Sequence, residues 1–333
     1  MKHIDPVYGE IEIIDPVVLE IINCSAFQRL KGIDQGGYKK QLVRPDTDLR
    51  GYVHTRYMHC IGDYFLLKNF GAPYAEQIAG LIHDVSHTAF SHCIDYVLNE
   101  EEHDQQNHQD KSHEGYIKNS EFAEILKRNN LNVDYILDDS NFPLKENNIP
   151  DLCSDRIDYS LKTAVIFGEM SQREIHDLLS HLHANKDTWY FDNYKYARKF
   201  AELFKLANDV YYSSEVSAQM FRVTADFLKR AFELKLISEQ DFYLTDSDVI
   251  EKIEPHIQED EKLELYWKRL NDRNCCEPDS TNYDFELTCK SRAVDPLFLE
   301  KRTFKRVSDI DPSWKDVVTE ELKPKKYFLK FKY

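Results

Sequence analysis

The sequence predicts a mainly helical protein with a short N-terminal hairpin and a small C-terminal α+β lobe. Three observations carry that reading. Only 10 Gly and 11 Pro interrupt 333 residues, which favours long helices over frequent tight turns. Apolar residues recur at helical spacing through most of the chain. Strand-like alternation is concentrated at the two ends.

Taken in order, PVYGEIEI alternates as a hairpin with Gly9 at its turn, and PVVLEIINCSAFQRLKGI and HTRYMHCIGDYFLLKNF follow with helical periodicity. After a break from Gly71 to Pro73, YAEQIAGLIHDVSHTAFSHCIDYVL supplies one or two further helices. Residues 99–112 are almost wholly polar and read as a solvated loop, after which HEGYIKNSEFAEILKR resumes the helical pattern. Residues 129–150, rich in Asn, Asp and Pro, separate that block from DLCSDRIDYSLKTAVIF. A second helical stretch from Lys195 to Leu236 contains neither glycine nor proline. YDFELTCKSRAVDPLFL and KKYFLKFKY alternate in the manner of strands. The expected organisation is a helical core over residues 1–185, with further helices and an α+β lobe over 186–333 completing a pocket or an oligomer interface.

Composition excludes several classes. Acidic residues outnumber Lys plus Arg 59 to 43, a formal charge of −16, so the chain lacks the basic footprint of a nucleic-acid-coating protein and nucleic acid is not expected as a partner. No apolar run approaches the ~20 residues that cross a bilayer, so no membrane partner is expected. The start, MKHIDPVYGEIEI, lacks an apolar signal core, and the 7 cysteines form no CxxC pair. Reduced thiols in a cytoplasmic setting are the expectation.

Eight of the 13 histidines fall between His54 and His113. Three His-Asp dipeptides occur where composition alone gives about one, so context decides among them. His103-Asp104 lies in the polar run and His176-Asp177 on an exposed helix. His83-Asp84 instead ends the apolar run IAGLI, where two adjacent titratable groups need a metal or a hydrogen-bond network. His87 lies four residues on, read as the same helical face; His59 lies one turn beyond Arg56, and Asp155 opens a later helix. Two imidazoles and two carboxylates from three helices can hold one divalent transition metal with coordination sites open for substrate or water.

The order His59, His83-Asp84, Asp155 resembles the HD-domain phosphohydrolase superfamily. The segments DPVYGEIEI, FQRLKGIDQGG, HTRYMH, AGLIHDVSHTAFSH, SHEG and DRIDY resemble its deoxynucleotide triphosphohydrolase branch over about residues 4–165. The resemblance implies an HD-domain helical fold with His59, His83, Asp84 and Asp155 as ligands of one divalent metal (iron, manganese, zinc or nickel), with magnesium on the substrate phosphates as an addition. It implies proton handling by His87, His92, Asp95 and His113, with His113 as general acid, and contacts to phosphate or sugar from Gln35, Arg56, Arg156 and Tyr159. The implied substrate is a nucleotide, hydrolysed to nucleoside and tripolyphosphate. A phosphomonoesterase, a cyclic-nucleotide phosphodiesterase and a nucleotide sensor without turnover stay open as alternatives.

The sequence departs from that branch where substrate identity is decided. Thr163 stands where many members have an aspartate directed at the sugar 3′-hydroxyl, and Gly36 replaces a bulkier residue. The helix DVYYSSEVSAQMFRV lacks the branch's arginine, histidine and tyrosine, for which Tyr211, Tyr212 and Arg222 are the available substitutes. Six basic residues between Lys290 and Arg306 form a cationic island in an acidic chain. A homo-oligomer is expected, with this island at a subunit contact or over a phosphate site, and with Val294, Leu297, Phe298 and Leu299 supplying apolar contact.

Overall fold

The computed structural model describes residues 1–42, 54–98 and 108–333. Among the described residues helices dominate, and nine short strands edge them. β1 (Lys2–Asp5) and β2 (Gly9–Glu12) form the N-terminal hairpin, with Asp5 opposite Gly9 in the register. The Asp5 carboxylate accepts the backbone N–H groups of Val7 and Tyr8 at 2.8 and 3.1 Å, closing the turn, and Gly9 supplies the positive φ of 75° that ends it.

The helix Arg56–Asn69 forms the centre of the core, with 11 of its 14 residues buried. Thr55 caps it, its hydroxyl accepting the Met58 N–H. It packs against the helices Tyr74–Ile82 and Ser154–Ile166, and Tyr194–Ala207 packs on the latter's other side. Burial on all sides places Arg56, His59 and Asp63 inside the protein, where Arg56 and His59 take partners from the chain rather than from water.

The remaining strands are β3 (Leu182–Ala184), β4 (Trp189–Phe191), β5 (Cys276–Pro278), β6 (Phe285–Cys289), β7 (Leu297–Glu300), β8 (Thr303–Arg306) and β9 (Lys325–Phe331). One sheet has the order β3-β4-β7-β8, with β4 and β7 parallel. The other has the order β5-β9-β6, all antiparallel. β3 and β4 straddle residue 185 and share their sheet with β7 and β8, so the two halves are joined by backbone pairing as well as by helix packing. All seven cysteines are buried and unpaired, and no described helix is long and apolar enough to cross a membrane.

Several local expectations are corrected. The helix carrying IAGLI stops at Ile82, so His83 caps its C-terminus and His87 follows a turn rather than sharing its face. His83 Nδ1 lies 2.6 Å from the Gly80 carbonyl, taking the acceptor that a continuing helix would use. The stretch from Lys195 to Leu236 is helical as expected, with an interruption that periodicity did not show. It divides at a π-helical turn, Asn208–Tyr212, between Tyr194–Ala207 and Glu215–Glu233. Of the polar run, residues 99–107 lie outside the described residues, as does His103, and the helix His108–Lys118 already begins within the rest. In KSRAVDPLFL only Leu297 onward is strand.

The cationic island is not one surface. Arg306 pairs with Asp151 at 2.6 Å and Lys305 with Glu300 at 2.5 Å, while Lys301 and Arg302 occupy the β7–β8 turn with positive φ. Val294 and Phe298 are buried in the protein's own core and are not free to meet a partner.

Candidate active site

The Arg56 helix, the turn after Ile82 and the first turn of the Ser154 helix converge on a cluster of nitrogen and oxygen atoms. His59 Nε2 lies 3.1 Å from His83 Nε2 and 2.9 Å from Asp155 Oδ1. His83 Nε2 is 3.7 Å from the same carboxylate oxygen. Asp84 completes the group, its oxygens 3.7 Å from His59 Nε2 and 3.5 Å from His83 Nε2. His59, His83 and Asp155 thus offer three ligand atoms within 4.8 Å of one another, while Asp84 stands beside them with Oδ2 held 2.5 Å from Arg56 Nη1.

The other ring nitrogens decide what this cluster can hold. His59 Nδ1 lies 2.6 Å from Asp158 Oδ2, and His83 Nδ1 faces the Gly80 carbonyl. A carbonyl only accepts, so His83 Nδ1 carries the hydrogen; the Asp158 carboxylate imposes the same tautomer on His59. The two Nε2 atoms then face one another across 3.1 Å with a carboxylate between them. Two lone pairs repel there and two N–H groups collide, so the pair calls for one shared cation, a proton or a metal ion. The donor set, two imidazoles with carboxylates, suits a divalent transition metal.

The electrostatics agree. Burial lowers the His59 pKa, but its hydrogen bonds with Asp155 and Asp158 outweigh that and push it up to about 9. Burial likewise opposes charge on His83, yet the Asp84 charge and the Asp155 hydrogen bond push it up to about 10. Against the cost of burial, Arg56, His83 and His87 hold Asp84 well below the usual carboxylate range. The pocket floor is anionic enough to require a cation, proton or metal.

The remaining candidates surround this floor. His87 Nε2 sits 3.3 Å from Asp84 Oδ1, and its ring meets that of His92 edge-on at 5.2 Å. His92 Nδ1 is 3.8 Å from Asp95 Oδ2. His113 Nδ1 is 3.0 Å from Ser86 Oγ. Burial and Arg56 push His87 down to about 3, and burial with the charges of Lys145 and His83 pushes His113 down to about 4. Both rings are therefore neutral near pH 7 until an anion joins them.

Arg56 and Arg156 are already engaged by the protein. Arg56 donates to Asp84, to the Gln35 carbonyl at 2.9 Å and to Ser91 Oγ at 3.1 Å, bracing the pocket wall. Arg156 donates to Glu146 and to Cys153 Sγ, both at 3.0 Å. Glu146, Cys153 and Asp155 form a second ligand-like group, but this guanidinium fills it and burial holds Cys153 as a neutral thiol. The Gln35 Oε1 atom is buried with no partner among the described residues.

A cavity of about 790 Å³ opens over the cluster, lined among others by His83, Asp84, His113, Asp155, Tyr212 and Arg292. Tyr159 meets Tyr212 edge-on at 5.3 Å, and the Tyr212 hydroxyl donates to Thr163 Oγ1 at 2.9 Å. His181 and His183 stand apart, paired with Asp192.

Sequence reasoning missed the layer beneath the cluster. Asp158, which orients His59, accepts from Lys162 Nζ at 2.6 Å, and Lys162 also pairs with Asp5 of the hairpin at 3.1 Å. Asp155, Asp158 and Lys162 lie three and four residues apart on one helix face, and that spacing in SDRIDYSLK was the available signal. His54, not among the candidates named from the sequence, lines the cavity with Nε2 buried and unpartnered among the described residues.

No family model matches the chain. Over 307 residues it is 34% identical to the uncharacterized protein YdhJ of Bacillus subtilis, covering 92% of this chain and 91% of that protein. It is 33% identical over 181 residues to the metal-dependent phosphohydrolase cns2 of Cordyceps militaris, covering 54% of this chain and 50% of that one. It is 36% identical over 108 residues to human deoxynucleoside triphosphate triphosphohydrolase SAMHD1, covering 27% of this chain and 16% of that protein. Its fold is shared with a phosphohydrolase structure from Bacteroides thetaiotaomicron (TM-score 0.73, 18% identity, 100% of each chain). A hypothetical protein from Aquifex aeolicus shares it too (TM-score 0.70, 19% identity, 99% of this chain and 96% of that one). At those identities the two structures speak for the fold alone.

A helical fold built around a histidine–aspartate cluster sets the class, and the chain belongs to the HD-domain phosphohydrolase superfamily. Within it, the likeness to YdhJ runs nearly the whole length of both chains.

Proposed function

We propose that this protein is a metal-dependent phosphohydrolase acting on nucleotides, with His59, His83 and Asp155 holding one divalent metal and Asp84 completing its surroundings. The observation that carries this is the pair of imidazole Nε2 atoms 3.1 Å apart over a shared carboxylate, at the floor of a cavity large enough for a nucleotide. The relatives' names, metal-dependent phosphohydrolase and deoxynucleoside triphosphate triphosphohydrolase, support it, though the chain spans half or less of those proteins. Bound there, the metal supplies neutralisation of phosphoryl charge and activation of a water.

The chain's own residues do the rest. Asp158 and Gly80 hold both imidazoles in the tautomer that presents Nε2. Ser86 engages His113 Nδ1, leaving Nε2 to give a proton to the leaving oxygen once the substrate's negative charge has raised its proton affinity. His87, backed by Asp84 and edged by His92, relays protons beside it. Tyr159 and Tyr212 offer aromatic surface to a base or sugar.

The favoured reaction is attack at the α-phosphorus of a (deoxy)nucleoside triphosphate, releasing nucleoside and tripolyphosphate. A second reading, phosphomonoester hydrolysis, is favoured by the Tyr212–Thr163 hydrogen bond, which sits where the triphosphohydrolase branch has a carboxylate for the sugar. Product identity separates them. Intact tripolyphosphate from a nucleotide panel supports the first, orthophosphate the second, and tight binding without product under any metal removes both.

A further inference from the structure

We propose that Arg292, delivered from the C-terminal half, is the residue that receives substrate phosphate oxygens remote from the metal cluster, so that the C-terminal segment selects for a polyphosphate chain. This deepens the reading of the site as a nucleotide phosphohydrolase and rests on it. Arg292 lines the same cavity as His83, Asp84 and His113, and it reaches there from between β6 and β7, more than 100 residues after the last metal-site residue.

Two observations set it apart from Arg56, Arg156 and Lys145, which line the same cavity. Arg56 is bound to Asp84, Arg156 to Glu146 and Lys145 to Asp139, whereas the Arg292 side chain has no hydrogen-bond acceptor or carboxylate among the described residues. It is half-buried, and a guanidinium held in a partly dry cavity without an anion leaves its donors available for one. Its charge bears on the cavity's aromatic wall, countering the effect of burial on Tyr159 and Tyr212.

The backbone that carries Arg292 is also built to stay in place. The buried Asn208 side chain accepts the Arg292 N–H at 3.0 Å and donates to Ser291 Oγ at 2.9 Å. Glu321 takes the same Asn208 amide at 3.2 Å and is itself paired with Lys205 and Lys325, both at 2.8 Å. Asn208 opens the π-helical turn that also contributes Tyr211 and Tyr212 to the cavity. One irregular turn therefore fixes both the aromatic wall and the cation, and π-turns of this kind recur at functional sites. Of the rest of the island, Lys290 lines the same cavity, whereas Lys305 and Arg306 are paired on the far strand and Arg302 sits on a hairpin turn.

The test compares wild type, Arg292→Ala, Arg292→Lys and the hairpin-turn control Arg302→Ala, with a nucleoside triphosphate as substrate and inorganic tripolyphosphate and orthophosphate as probes. Arg292→Ala is expected to raise KM and weaken tripolyphosphate binding by about ten-fold or more, with orthophosphate binding, metal content and Tm held near wild type. Arg292→Lys recovers part of the loss and Arg302→Ala shows none. Unchanged tripolyphosphate affinity in Arg292→Ala, or a wild type that does not bind tripolyphosphate by calorimetry, overturns the inference. A wild type that binds tripolyphosphate through Arg292 but hydrolyses no nucleotide overturns the functional reading instead.

Discussion

Asp158 receives the Nδ1–H of His59 at 2.6 Å, and this one contact decides which nitrogen the histidine turns toward the cavity. The second oxygen of Asp158 holds the fully buried Lys162, which reaches on to Asp5. The N-terminal hairpin is thereby tied to His59 through buried charges. Gly62 makes room for the arrangement: a Cβ there would lie 1.9 Å from Lys162 Nζ and 2.2 Å from Asp158 Oδ1.

Substituting Asp158 therefore has two consequences. Asp158→Ala leaves Lys162 short of its nearest partner and should cost about 3–5 kcal/mol of stability. It also frees the His59 ring and should lower metal affinity by about 10–100-fold. Asp158→Asn retains an acceptor and should fall between. Denaturant titration alongside metal analysis reads both effects, and a variant with wild-type metal affinity would show that the tautomer is set elsewhere.

His83→Ala removes one of the two facing nitrogens and should abolish stoichiometric metal. Asp84→Ala should lower it and release Arg56 from its ion pair. Metal analysis after identical purification checks this, and equal content in wild type and both variants would overturn the ligand assignment.

His113→Ala should reduce kcat by about 10²–10⁴-fold while leaving metal content unchanged, because the ring touches Ser86 rather than the ligand cluster. Turnover at the wild-type rate would remove it from proton transfer.

A buried carboxyl pair makes stability depend on pH. Burial, reinforced by Asp246, pushes Asp34 up to about 8, and burial pushes Asp246 up to about 7. Both folded values exceed the unfolded value of about 4, so the folded state holds more protons between them. The stability these groups contribute is complete below about pH 4 and is lost as pH rises through 7 and 8. Asp34→Asn keeps the acceptor that Gly36 N uses at 3.0 Å while removing the charge. Its stability should fall less than wild type's over that range, and it should be the more stable of the two at about pH 9. Parallel melting curves across pH would contradict this.

The chain's periodicity and spacing determined much of this protein by themselves. The modest number of glycines and prolines, the periodic apolar helices and the alternating ends are local properties, so the helical class, the hairpin and the strands β6 and β9 were legible directly. His83-Asp84 stood out for a different reason, because His-Asp at the end of an apolar run is costly unless something binds it, while the family resemblance pointed to His59 and Asp155. What only the tertiary structure decided are properties of distance. The helix ends at Ile82, where the His83 ring meets the Gly80 carbonyl, and periodicity cannot register such a contact. The engagement of Arg56 and Arg156 by Asp84 and Glu146 pairs residues brought together by packing. The division of the cationic island, with Arg292 in the cavity and Arg306 on Asp151, follows from which side of the chain each backbone segment presents. Composition counts charges, but only the folded chain determines which of them are already neutralised.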